Sequence, residues 1–140
     1  MRRATPLLAL TFMALMVVGC TSSPRFTSKY VGDGSYSLVE EGIASYYGEP
    51  YNGRATSNGE IYDMNTMTAA HQTLPFNTKL KVTNLDNNKS TVVRINDRGP
   101  FAKDRIIDLS VAAAKELDMI GPGTAHVRLE VIELGPVNAP

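Results

Sequence analysis

The sequence predicts a mostly all-β domain, a small barrel, on three observations. Short segments alternate apolar and polar residues, one stretch alone has helical character, and Asn, Asp, Gly and Pro punctuate the joins. At 140 residues the chain can build one domain with its own core.

The elements follow in order. GIASYY, residues 42–47, has period-two character and β-favouring aromatics. KLKVTN, 79–84, alternates Leu80 and Val82 with polar neighbours. LDNNKS is a turn by composition, and STVVRIN, 90–96, answers it, so the two strands read as a hairpin. After Asn96-Asp97-Arg98-Gly99-Pro100 a second apolar run, RIIDL, resumes. Ser110 then caps a short helix over Val111 to Leu117, built from strong helix formers. Asp108 suits the positive end of its dipole, and Gly121-Pro122-Gly123 stops it. HVRLEVIE, 126–133, puts Val127, Leu129 and Val131 on one face and His126, Arg128 and Glu130 on the other.

The first residues differ in kind. Met1-Arg2-Arg3 is basic, and the apolar stretch Leu7 to Val18 is shorter than the ~20 residues that span a bilayer. This is a secretory signal, residues 1–19. Val17-Val18-Gly19-Cys20 resembles a bacterial lipobox, which makes Cys20 the lipidated first residue and the membrane a partner through that lipid. Cys20 is the single cysteine, so the mature domain has no disulfide or thiol nucleophile. Residues 20–41 are rich in Ser, Thr and Gly and read as the lipidated Cys plus a flexible tether, although YSLVE within them also fits an extra edge strand. The domain then covers 42–134, and 135–140 is a short tail.

Charge narrows the function. The 14 basic residues balance 14 acidic ones without a basic run, which argues against a nucleic-acid partner. Two histidines, one of them on a strand's polar face, do not support a metal site, and no cofactor is expected. No nucleophile elbow is present for a serine triad.

Three clusters carry the candidate chemistry: ATSNGEIYDM (55–64), TAAHQTLPFNT (68–78) and NDRGP. Asp97 reads either as an Asx-type turn or as a carboxyl held at a strand end facing a groove. Ser57-x-x-Glu60 fits a helix capping box, and Glu60 also fits a carboxylate on a Gly-flexible loop. A lone His71 is more often a hydrogen-bonded, partly buried residue than a catalyst. Tyr46, Tyr47, Tyr51 and Tyr62 offer faces for sugar rings or for core packing. Two candidate carboxyls are what glycosidic cleavage uses.

At these clusters the sequence resembles the rare lipoprotein A family. G-x-A-S-x-Y-G, T-[AS]-N-G-E-x-Y-D, T-A-A-H-x-T-L-P and N-D-R-G-P occur in the family's order, over roughly Gly42 to Leu134. The resemblance implies a six-stranded double-psi β-barrel with one or two short helices, shared with expansin and barwin domains. It implies a periplasmic lipoprotein of the bacterial outer membrane that acts on peptidoglycan glycan strands as a lytic transglycosylase, a lyase. Such enzymes cleave between N-acetylmuramic acid and N-acetylglucosamine and leave a 1,6-anhydro end; some prefer peptide-stripped glycan. Asp97 would be the acid and then the base, with Glu60 assisting, or the two roles reversed. His71 would hold a carboxyl, and Asn96, Arg98, Tyr62 and Tyr47 would support the site or bind substrate. Many members carry a C-terminal SPOR domain; none is read before Pro140, which puts septal targeting in doubt. A non-catalytic, expansin-like binding module or a structural lipoprotein of the envelope is the competing reading, although the lack of Trp disfavours a flat sugar platform.

Overall fold

The computed structural model describes residues 26–30 and 36–137. The expected signal, the expected lipidation site at Cys20 and residues 20–25 and 31–35 of the expected tether lie outside the described residues. Seven strands form: β1 Thr27–Tyr30, β2 Tyr36–Tyr46, β3 Thr68–His71, β4 Lys79–Asn84, β5 Ser90–Asp97, β6 Arg105–Leu109 and β7 Ala125–Glu133. Helix α1 spans Val111–Glu116 between β6 and β7.

Six strands close on themselves in the order β2-β6-β3-β5-β4-β7, with β7 pairing back to β2, while β1 adds to β2 from outside. The pairs β2–β6 and β3–β5 are parallel and the rest antiparallel. This is the six-stranded double-psi barrel that the resemblance implies, with one strand added.

Alternation decides which residues fill it. Leu80 and Val82 of β4, Val93 and Ile95 of β5, and Val127 and Leu129 of β7 are buried together with Ile107 and Leu109 of β6. Lys79 and Lys81 point outward from β4. Helix α1 plugs one end: the Ser110 hydroxyl accepts from Ala113 N at 3.2 Å, and Ala113, Ala114 and Leu117 are buried in the same core. Short alanines let the helix sit close to the barrel mouth.

One segment differs from the sequence expectation, and one strand forms where the sequence had assigned no element. Residues 36–41, read as the end of a tether, are the first half of β2, where Val39 to Ala44 pair with β7. Their Ser-Glu-rich composition hides a strand whose support is the partner β7. TAAH is strand β3 although Ala favours helix, because it lies between β5 and β6 with every residue buried and so shows no alternation. At Gly42 a Cβ would lie 2.7 Å from Ile106 Cγ2, so a larger residue would force β2 and the neighbouring β6 side chain apart.

Ile107 pairs with both Ala44 and His71 and is fully buried. Ile107→Ala is expected to cost ~2–5 kcal/mol. Val92→Ala, at an exposed site of β5, should stay within about 0.5 kcal/mol. Urea denaturation of the two variants checks the contrast.

Candidate active site

Arg94, Asn96 and Asp97 lie at the end of β5, where pairing with β3 passes from Ile95 to Asp97 and leaves Asn96 as an extra residue between them. Residues 53–62 fold back on themselves beside this strand end. Gly53 N donates to Tyr62 O, Tyr62 N to Arg54 O and Thr56 N to Glu60 O, at 2.7–2.8 Å. Gly59 turns the tip with φ +90°, a region where side chains are strained.

The tip grips the β5 end at two carboxyls. At one, Arg94 donates to Glu60 through Nη1 at 2.7 Å and Nη2 at 2.9 Å, and Asn96 Nδ2 adds a bond at 3.1 Å. Asn58 Nδ2 also donates to Glu60, at 3.0 Å. At the other, Ser57 donates to Asp97 Oδ1 from its backbone N at 2.9 Å and its hydroxyl at 2.7 Å. Arg98 N donates to the same oxygen at 2.8 Å, while Oδ2 receives one bond, from the Tyr47 hydroxyl at 3.0 Å. Oδ1 is therefore saturated, and Oδ2 keeps a lone pair for an incoming proton.

Asp97 stands where two cavities meet. One, of about 90 Å³, is lined by Tyr47, Tyr51, Arg54, Thr56 and Tyr62. The other, of about 390 Å³, is lined by Tyr47, Tyr51, Pro100, Phe101, Arg105 and Asp108. The second shares Phe101, Ala102 and Arg105 with a wider hollow of about 810 Å³ that reaches Glu41 and His126. The three cavities adjoin through these shared wall residues, and two of them border the Asp97 carboxyl.

The other expected site residues separate. Glu60 lines neither cavity at Asp97; it holds the turn. His71 is fully buried with both ring nitrogens committed elsewhere. Nδ1 accepts from Thr73 N and Leu74 N at 3.1 Å, so the proton sits on Nε2, which donates to Glu40 Oε2 at 3.1 Å. His71 does hold a carboxyl, but that of Glu40. Arg98 borders the larger cavity, but its guanidinium is engaged elsewhere: it donates to His71 O and Leu74 O and covers the Phe76 ring at 3.8 Å. It thereby ties the Asp97 loop to the loop after β3. Tyr62 lines the smaller cavity with its ring, and its hydroxyl accepts from Val111 N at 3.3 Å, linking it to the start of α1. Among the described residues no three His, Cys, Asp or Glu groups are placed to hold a metal ion.

The profile of the family described as lytic transglycolase matches residues 39–129. The chain belongs to this family. It is 62% identical over 99 residues to a Campylobacter jejuni protein named endolytic peptidoglycan transglycosylase RlpA, covering 71% of this chain and 36% of that one. A Vibrio cholerae protein of the same name is 59% identical over 103 residues, 74% of this chain and 39% of the relative. The chain thus matches over roughly a third of the length of these curated relatives. Among solved structures, a Streptomyces papain inhibitor (20% identity, 68% of this chain and 94% of that one) and a Clavibacter michiganensis expansin (19%, 70% and 53%) each superpose with TM-score 0.55. They share the barrel.

Charge in this lytic transglycolase domain is set by those bonds. Burial pushes the Asp97 carboxyl up, but the donors Ser57, Arg98 and Tyr47 outweigh it and hold it below the usual value. Burial first, then the Asp97 charge, pushes Tyr47 strongly up and keeps its hydroxyl protonated as a donor. The Arg94 bonds hold Glu60 at about 2, from an ordinary 4.5, with Asn96 and Asn58 helping against burial.

Four residues escaped the sequence reading. Ser57 looked like a helix cap, yet no helix follows and it donates to Asp97 instead. Arg94 carried a usable signal: it sits two residues before Asn96 on the same strand, a lone cation in an apolar run. Glu40 and Asn58 gave none, since their partners are set by the fold or by the turn.

Because the Glu60 carboxyl is depressed in the fold, its stabilisation is present above pH 4.5 and lost as pH falls toward about 2. Glu60→Gln is expected to melt lower than the parent at pH 7, with the difference shrinking through that window. Calorimetric melts of both proteins between pH 2 and about 7 read this out.

Proposed function

We propose that this chain is an endolytic peptidoglycan lytic transglycosylase of the cell envelope, with Asp97 as its acid and base. It would be anchored by lipid on Cys20 to the periplasmic face of the outer membrane. The observation that carries the reading is the half-free carboxyl of Asp97 at the meeting of two cavities. Family membership and the names of relatives about 60% identical support the substrate and the reaction class. Peptide-stripped glycan is the proposed preferred substrate, on the family resemblance.

The chemistry uses one oxygen twice. Protonated on Oδ2, Asp97 gives its proton to the glycosidic oxygen as the bond to muramic C1 breaks. The carboxylate that forms is held by four donors. It then takes the C6 hydroxyl proton while O6 bonds to C1 and closes the 1,6-anhydro ring. Atoms balance without water. The donors that favour the carboxylate make protonated Asp97 a stronger acid, and also a scarcer one near neutrality. Glu60, ionised and fully bonded, would position Ser57 and Asp97 rather than move a proton.

One observation favours a binding module instead: the resting Asp97 is stabilised as an anion, the form that accepts hydroxyl hydrogen bonds. Incubation of the protein with intact and amidase-stripped sacculi, read by mass spectrometry, separates the two. Anhydro-muramyl ends are expected, reduced ~10²–10⁴-fold in Asp97→Asn. Sacculus binding without release would establish the module, and reducing ends a hydrolase.

The pH dependence has a definite sign. Protonated free enzyme is the active form, so kcat/KM should fall as pH rises through the depressed Asp97 value. Tyr47→Phe removes a donor to the carboxylate and should move that limb to higher pH, as a pH–rate profile on stripped glycan would reveal.

A further inference from the structure

We infer that Phe101 is a sugar-stacking, specificity-determining residue, and that the cavity beneath it receives one N-acetylhexosamine ring of the glycan on the Pro100 side of Asp97. This rests on the glycan reading of these cavities and adds a subsite to it.

Phe101 is 87% exposed, more than any other large apolar side chain among the described residues. Burial does not explain its place, since a large aromatic ring favours the interior. Its location is specific. It follows the acid by four positions and lines both the 390 Å³ cavity and the 810 Å³ hollow, forming the lip between them. It is also seated: the ring lies 3.7 Å from where a Gly99 side chain would begin, and Pro100 O accepts from the Gln72 amide.

The same cavity also carries polar groups. The Ser45 hydroxyl donates to Asp108 Oδ1 and accepts from Arg105 Nη1 at 2.8 Å, and all three residues line the cavity with Phe101. An aromatic ring together with a carboxylate, hydroxyl and guanidinium in one cavity matches a pyranose ring, which has an apolar C–H face and a rim of hydroxyls. The half-exposed Tyr51 ring borders both cavities at the carboxyl but is itself covered by Arg54, whose guanidinium lies 5.4 Å from the ring centre, which leaves Phe101 as the uncovered aromatic ring of this cavity.

The test uses the Asp97→Asn protein, to prevent turnover, and soluble peptide-free glycan strands, with Kd by calorimetry. Adding Phe101→Ala should raise Kd roughly five- to tenfold and leave the melting temperature unchanged, while Phe101→Tyr should keep parental binding. In the active background, Phe101→Ala should raise KM on stripped sacculi more than it lowers kcat. Unchanged Kd and KM in Phe101→Ala, with the parent binding well, would overturn the subsite and spare the glycan reading. Failure of the parent itself to bind the strands would overturn both.

Discussion

The barrel depends on one strand, β2, that pairs with three others: β1 outside the ring, and β7 and β6 within it. β2 pairs along its first half with β7, antiparallel, and along its second half with β6, parallel. The handover comes with a register shift between Ile43 and Ala44, next to the close approach at Gly42. Closure through β2 removes free edges from the six-stranded ring and leaves β1 to cover the outside. It also brings the two halves of the site together. Tyr47 follows the end of β2, Asp97 ends β5, and the Tyr47 hydroxyl spans them. A scaffold of paired strands fixes both partners more tightly than loops could.

On that scaffold a single turn does the fine positioning. The Thr56–Glu60 tip bonds the β5 end at two carboxyls, and its strongest contact is the two-pronged Arg94–Glu60 pair. Such forks fix direction as well as distance. Both groups are partly exposed, so the pair's value lies in geometry more than in stability. The arrangement sorts two neighbouring carboxyls into different surroundings. Glu60 receives donors on both oxygens, while Asp97 has a single donor on Oδ2.

Much of the scaffold was legible in the sequence because alternation is a local property. KLKVTN, the strand beginning at Ser90 and HVRLEVIE declared themselves by period two, and the helix by Ser110 and its alanines. β3 was illegible as a strand because burial on both sides erases alternation from four residues. The first half of β2 was obscured by Glu40 and Glu41, whose partners, His71 and Arg128, are remote in sequence. The strand end at Asp97 was legible because Gly-Pro follows it. Its environment was not: Ser57 lies 40 residues away and Tyr47 50 residues away. Local grammar announces where a strand stops; only closure tells which residues meet there.

The saturation of Asp97 Oδ1 bears on the fate of the sugar cation. With three donors on that oxygen, one site remains for proton traffic. On the proposed reaction, a water molecule seeking activation must compete for the same oxygen that the C6 hydroxyl needs. The hydroxyl is tethered to the ring under attack, and water is not, so the tethered nucleophile holds the advantage in effective concentration. Partition between ring closure and hydrolysis would then be set by crowding at a single atom, without a separate device to exclude solvent.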